Sequence, residues 1–252
     1  MIKEEQIVAI IPARYGSTRM PGKPLIDLAG KPMIEHVYER TKEARLVDRV
    51  IVAIDDRRVA DAVKQFGGEV VSTPTDLRSG SDRVAYVAKK LADASIIVNV
   101  QGDEPMIEPE MIDEAVQPLI DDRTIVVGTL VKRIDTTEEL SNPNIVKVVL
   151  DKDGFALYFS RAAIPFARDG RSVEASYKHI GLYAFRRDFL LKFASLPETP
   201  LESIEKLEQL RILEHGYKIK APVTKYDSIP VDTLEDVERV RTQLARRTIK
   251  AH

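Results

Sequence analysis

Arg14, Arg19 and Lys23 fall in one short loop, "IPARYGSTRMPGKPL" (11 to 25), directly after the apolar run "IVAII". Three cations beside glycines that permit close backbone approach form a local anion site suited to a triphosphate. The loop is not a P-loop. Five residues separate Gly16 from Gly22 where that motif has four, and Pro24 follows Lys23 where a Ser or Thr hydroxyl would ligate Mg²⁺. Pro24 supplies neither that hydroxyl nor a backbone donor, and the G-x-G-x-x-G dinucleotide fingerprint is absent. On spacing alone, a solvated turn is the competing reading.

Carboxylates in two distant stretches are candidates for a hard cation. "VNVQGDEP" delivers Gln101, Gly102, Asp103 and Glu104 at the end of an apolar run. Mg²⁺ usually takes one or two protein carboxylates, with phosphate oxygens and water completing the shell. Asp103 and Glu104 could instead cap the next helix, although "PEMIDEAV" has its own start signal in Pro109. In "IPVDTLEDVERV", Asp232 precedes a helical pattern, and on spacing alone helix capping is the favoured role for it.

Further polar residues cluster at element ends. "RSGSDRVAYV" places Ser79, Gly80, Ser81, Asp82 and Arg83 at a helix start, to serve a nucleotide base or to cap the helix. Arg161 in "FSRAAIP", with His179 and Tyr183 in "KHIGLYAF", suits an acidic, hydroxyl-rich substrate. His36 and His215 read as surface residues of helices. "DKDG" (151 to 154) begins like a calcium loop but lacks the later ligands, and it reads as a hairpin turn.

The elements that must position these residues alternate in type. β-branched runs at 7–11, 50–54, 69–72, 96–100 and 124–130 are separated by helical patterns in "PMIEHVYERTKEA", "RRVADAVKQFGG" and "SGSDRVAYVAKKLADA". That rhythm predicts an α/β fold, a Rossmann-like, mostly parallel sheet flanked by helices. After about residue 140, "NIVKVVL", "DKDG" and "FALYFS" predict a β-hairpin arm, followed by a strand at 179–185 and helices from Arg187, over 201–215 and after Asp232. With no linker or repeat, 1–252 reads as a single domain carrying an insertion at about 140–190.

The chain has no cysteine, which excludes disulfides, thiolate metal sites and a Cys nucleophile. Lys plus Arg at 38 against Asp plus Glu at 40 leaves no broad basic field, so no nucleic-acid partner is expected. No run reaches bilayer length and the opening apolar stretch is too short for a secretory signal, so the expectation is a cytoplasmic protein with no membrane contact.

Taken in order, "IPARYGSTRMPGKPL", "SGSDR", "NVQGDEP", "NPNIVKVVLDKDGFALYFSRAAIP", "KHIGLYAFRRDFL", "LEQLRILEHG" and "VDTLEDVERV" resemble the 3-deoxy-manno-octulosonate (Kdo) cytidylyltransferases over about residues 7 to 245. The first loop alone also resembles the sialic acid cytidylyltransferases, but "QGDEP", "FSRAAIP" and "LEQLR" favour the Kdo family. The resemblance implies a nucleotide-diphospho-sugar transferase fold and a homodimeric, Mg²⁺-dependent enzyme. That enzyme couples CTP to Kdo, releases pyrophosphate and activates the sugar for lipopolysaccharide. It implies that Ala13, Arg14 and Lys23 hold the nucleotide, with Ser79, Gly80, Asp82, Arg83 and Gln101. Asp103 and Asp232 become metal ligands, which raises Asp232 above its reading as a cap. Arg161, His179, Tyr183, Glu208 and Gln209 would line the sugar site, Arg161 facing the sugar carboxylate. In this chain Ile54 and Ser81 stand where relatives often carry Thr, and no His lies two residues before Ser79. An amino-substituted Kdo, a sialic acid, a P-loop kinase and a non-catalytic nucleotide sensor are the competing readings.

Overall fold

The computed structural model describes residues 5–16, 20–168 and 176–250, with side chains to 246. Arg19 lies outside the described residues. The chain forms two compact units, residues 1–113 with 227–252, and residues 114–226.

In the first unit β1 (Gln6–Ala13) leads through a single 3-10 turn at Lys23–Leu25 to a small hairpin, β2 (Asp27–Leu28) and β3 (Lys31–Pro32). Then come α1 (Met33–Lys42), β4 (Arg49–Ile54), α2 (Arg57–Gln65), β5 (Glu69–Ser72), α3 (Gly80–Ala88) and β6 (Ala94–Asn99). The strands lie in the order β5-β4-β1-β6, and each neighbouring pair is parallel. Burial on both faces explains why β1 and β4 read as continuous apolar runs: Val8 to Ile11 and Ile51 to Ala53 are fully buried. α1 buries Met33, Ile34, Val37 and Thr41 along one stripe. This unit is the expected Rossmann-like sheet with flanking helices.

The division between units falls inside α4 (Pro109–Asp121). The second unit continues with β7 (Val127–Arg133), α5 (Thr137–Ser141), β8 (Lys147–Leu150), β9 (Ala156–Ser160), β10 (Tyr177–Arg186), α6 (Arg187–Ser195), α7 (Pro200–Glu205) and α8 (Gln209–Glu214). Here pairing is antiparallel: β10 pairs β7 and β8, and β8 pairs β9. β8 and β9 are the expected hairpin. Its "DKDG" turn closes through Asp151 Oδ1, which accepts from the amides of Asp153 and Phe155, with Gly154 at φ +74°. The chain then returns to the first unit as α9 (Leu234–Lys250).

Two predicted elements differ. The strand expected at 124–130 starts at Val127, because Asp122 Oδ1 accepts from both the amide and hydroxyl of Thr124 and holds 122–125 in a turn. The single helix expected over 201–215 is two, α7 and α8. Lys206 adopts the left-handed region at φ +54° and ends α7, a break that an unbroken amphipathic pattern does not signal.

Candidate active site

In the first unit, β1, β4 and β6 run parallel, with Ala13 level with Ile54 and Ile10 level with Asn99. The segments beginning at Arg14, Asp55 and Val100 therefore leave one edge of the sheet, the carboxyl edge at which open α/β sheets bind ligands. Ala13 is buried at the end of β1. Beyond it the Tyr15 amide donates to Asp55 Oδ1 at 3.1 Å, and the Gly22 amide donates to the Tyr15 carbonyl at 2.9 Å. Gly22 sits at φ +73° against the Tyr15 ring, so the loop closes where a side chain would be strained.

That closure brings Lys23 to two carboxylates. Its Nζ lies 2.6 Å from Asp103 Oδ2 and 3.1 Å from Asp232 Oδ1. Burial lowers the Lys23 pKa, but attraction and hydrogen bonding from Asp103, then from Asp232, outweigh it and leave the ammonium above its ordinary value. Asp103 arrives through a tight approach: a Cβ on Gly102 would stand 2.6 Å from the Pro12 carbonyl oxygen. The Asp103 carbonyl then accepts from the Val231 amide at 2.9 Å, which docks the segment carrying Asp232.

Capping proves not to be the task of Asp232. Thr233 caps α9: the Asp236 amide donates to Thr233 Oγ1 at 3.2 Å, while Asp236 Oδ2 accepts from the Thr233 amide at 2.9 Å. Thr233 and Asp232 are adjacent capping-type residues, and only the geometry chooses between them. Asp103 caps nothing either, since α4 begins six residues later at Pro109. Glu104 is buried beside the pair. Burial raises its carboxyl to about 7, the Ser228 hydroxyl opposes that, and Asp103, Asp227 and Asp232 add to it. At neutral pH this restrains the negative charge around Asp103 and Asp232.

Ser79 caps α3, its hydroxyl accepting from the Asp82 amide at 3.1 Å, and Gly80 opens that helix. Arg83 is fully buried, with Nη2 donating to Asp55 Oδ2 at 3.1 Å and Nη1 to Thr73 Oγ1. Burial lowers the Arg83 pKa; Asp55 opposes this and the nearby Arg14 guanidinium reinforces it. Arg14 Nη2 is buried without a hydrogen-bond partner among the described residues. Two guanidinium groups in proximity with a donor unspent form a place for an anion. Gln101 is half-buried just past β6. Asp55 and Thr73 were not among the predicted site residues; the "DD" after the second strand was the available signal.

In the second unit Arg161 follows β9 and is already braced. Its amide donates to Glu205 Oε2 at 2.9 Å, its Nε to the Glu205 carbonyl at 2.8 Å and its Nη1 to the Pro143 carbonyl at 3.0 Å. Ser160 Oγ donates to the other Glu205 oxygen at 2.6 Å. Lys147, fully buried, gives its ammonium to the carbonyls of Asn142 and Ile145 at 2.8 and 2.5 Å, which steadies the turn that Arg161 leans on.

β10 carries His179 and Tyr183, whose rings lie 5.3 Å apart, with Phe159 edge-on to His179 at 5.1 Å. Burial holds His179 down to about 3, so its imidazole is neutral at any ordinary pH. Burial, with the Glu208 carboxylate, raises the Tyr183 phenol well above its ordinary value. Glu208 stands at the amino end of α8, and the next residue, Gln209, is buried. His179, Tyr183 and Glu208 thus bring a neutral imidazole, a phenol and a carboxylate together, groups suited to hydroxyls of a polar substrate.

Residues 8–219 match the family model described as "Cytidylyltransferase". A curated protein of Geotalea uraniireducens, named 3-deoxy-manno-octulosonate cytidylyltransferase, is 55% identical over 251 residues, covering 96% of this chain and 100% of that one. One of the same name from Geobacter metallireducens is 54% identical over 253 residues, covering 96% and 98%. A solved structure of CMP:2-keto-3-deoxy-manno-octonic acid synthetase complexed with CTP superposes with a TM-score of 0.91 at 45% identity, covering 96% of this chain and all of that one. Nucleotidyl transfer is the class that such a fold and site define. The chain belongs to the cytidylyltransferase family, in its branch of 3-deoxy-manno-octulosonate cytidylyltransferases.

Proposed function

We propose that this protein transfers the cytidylyl group of CTP to the anomeric hydroxyl of Kdo, giving CMP-Kdo and pyrophosphate. The observation that carries the reading is the convergence of Asp103 and Asp232 on one ammonium, Lys23 Nζ, at the carboxyl edge of the parallel sheet. A pair of carboxylates that one cation can reach fits a divalent ion whose remaining ligands are phosphate oxygens and water. Asp103 and Asp232 would hold Mg²⁺. The bound ion supplies neutralisation of phosphate charge and acidification of a coordinated hydroxyl.

The residues of the chain have distinct parts in this reading. Arg14, with its unspent buried donor, and Lys23, released from the carboxylates, take the triphosphate. Ala13, Ser79, Gly80, Asp82 and Gln101 frame the nucleotide, and Arg83 stiffens that frame from below through Asp55 and Thr73. Arg161 pairs with the sugar carboxylate, while His179, Tyr183, Glu208 and Gln209 receive its hydroxyls. The anomeric hydroxyl loses its proton to solvent as its oxygen bonds to the α-phosphorus and the bond from that phosphorus to pyrophosphate breaks. Arg14 and Lys23 stabilise the charge that leaves.

The same reading takes 1–252 as one nucleotidyltransferase domain whose 140–190 segment serves the sugar and a homodimer contact. It places the enzyme in the cytoplasm, supplying activated sugar for lipopolysaccharide; among the described residues no helix is long and apolar enough to cross a membrane. The experiment is pyrophosphate release measured for CTP, UTP and ATP, each with Kdo, its amino analogue and sialic acid. Release should be greatest for CTP with Kdo. Release from CTP alone, or none with any pair, contradicts the reading.

A further inference from the structure

Thr129 lies in β7 opposite the place where the register of β10 shifts, between Ile180 and Tyr183, and it is fully buried. Its hydroxyl serves three groups. Oγ1 lies 2.8 Å from the Leu182 carbonyl oxygen, 3.2 Å from that of Ile180 and 2.9 Å from His179 Nε2. A hydroxyl has one proton to donate and lone pairs to accept with, whereas a carbonyl only accepts. The proton therefore belongs to the carbonyls, and toward His179 the oxygen must be the acceptor. Turning the proton to Nε2 instead would leave two carbonyl oxygens facing lone pairs inside the protein, a costly arrangement.

His179 Nε2 must then carry the hydrogen. A neutral imidazole has only one N–H, so Nδ1 keeps its lone pair. Nδ1 has no hydrogen-bond partner among the described residues, and the residue as a whole keeps partial exposure although its imidazole is largely desolvated. Phe159 and Tyr183 fix the plane of the ring, so the direction of that lone pair is set as well. We infer that Thr129 is a positioning residue that locks His179 as its Nε2–H tautomer, so that Nδ1 stands ready to accept a hydrogen bond from a hydroxyl of the sugar substrate. The second half of this inference rests on the proposed sugar-site role of His179. In it the imidazole is an acceptor that orients substrate and moves no proton.

The tautomer is read directly from long-range ¹H–¹⁵N spectra of protein labelled at histidine, with His179 assigned through His179→Gln. Wild-type protein and Thr129→Ser should show Nε2–H, and Thr129→Val should lose that pattern. Loss of one hydrogen bond's worth of orientation should raise the KM for Kdo about five- to tenfold in Thr129→Val and leave the KM for CTP within about twofold. Thr129→Ser should restore both. An Nδ1–H tautomer in the wild type overturns the inference, as does a Thr129→Val spectrum like the wild type or an equal rise in both KM values. If Thr129→Val fails to fold, the wild-type and Thr129→Ser spectra decide. Should His179→Gln leave the KM for Kdo unchanged, the acceptor role falls together with the sugar-site reading of His179, while the wild-type spectrum still judges the tautomer.

Discussion

Lys23 Nζ donates to Asp103 Oδ2 at 2.6 Å while it also lies 3.1 Å from Asp232 Oδ1, so one side chain bridges two carboxylates from segments far apart in the chain. That ammonium occupies the place where a divalent cation would be drawn. In the proposed reading the lysine and the metal would compete in the protein without nucleotide, and a triphosphate would resolve the competition by giving Lys23 another partner.

Replacing Lys23 by Met should expose this competition. Without the ammonium the carboxylates repel one another, and added Mg²⁺ should raise the melting temperature of Lys23→Met more than that of the wild type. Differential scanning fluorimetry across a Mg²⁺ series checks it; equal shifts in the two proteins would show that the lysine does not guard the pair. CTP turnover in the same variant should fall about a hundredfold, through the loss of leaving-group stabilisation.

Gly102 is required by space. A Cβ there would press on the Pro12 carbonyl at 2.6 Å, so Gly102→Ala must push the Asp103 segment away from β1. The expected cost is about 1–3 kcal/mol of stability, measured by urea unfolding, with turnover lowered beyond what that cost explains. A variant with unchanged stability and turnover would mean that the segment shifts freely.

Glu205 organises Arg161 through its carboxylate and its carbonyl. Glu205→Ala removes the acceptor from the Arg161 amide and the Ser160 hydroxyl, and should cost about 1–3 kcal/mol. The KM for Kdo should rise while that for CTP stays, as steady-state kinetics with each substrate varied would show. The reverse pattern would detach Arg161 from the sugar.

The acid side of the stability profile should carry the signature of His179. Its folded pKa, about 3, lies below the ordinary 6.5, so the unfolded chain binds an extra proton between those values. This contribution is complete above about 6.5 and is lost as the pH falls toward 3, giving a slope of up to about 1.4 kcal/mol per pH unit. Urea midpoints from pH 4 to 7 should show a shallower slope in His179→Gln than in wild type; an identical slope would mean that His179 titrates normally.

The residues that bear charge on loops were legible because strand ends and turn residues announce themselves. "IVAII" followed by "PARYGS", and "IIVNV" followed by "QGDEP", mark carboxyl ends of strands before any fold is known. Pairings across long separations were not legible. Nothing near Arg83 names Asp55 and Thr73 as its partners, and nothing in "SRAAIP" names Glu205. Thr129 hides in the apolar run "TIVVGTL", where a buried hydroxyl and a packing residue read alike. The break at Lys206 escaped because the apolar spacing continues across it. Asp232 was misread on spacing because Thr233 beside it satisfies the same capping pattern.

The most direct test of the carboxylate pair is turnover by Asp103→Asn, followed as pyrophosphate release with saturating CTP, Kdo and Mg²⁺. The change keeps size and hydrogen bonding but removes one charge. The expected result is a kcat lower by about a hundredfold or more, with the KM for CTP within a few-fold of wild type. A kcat close to wild type under those conditions would contradict the assignment of Asp103 and Asp232 as the cation-binding pair.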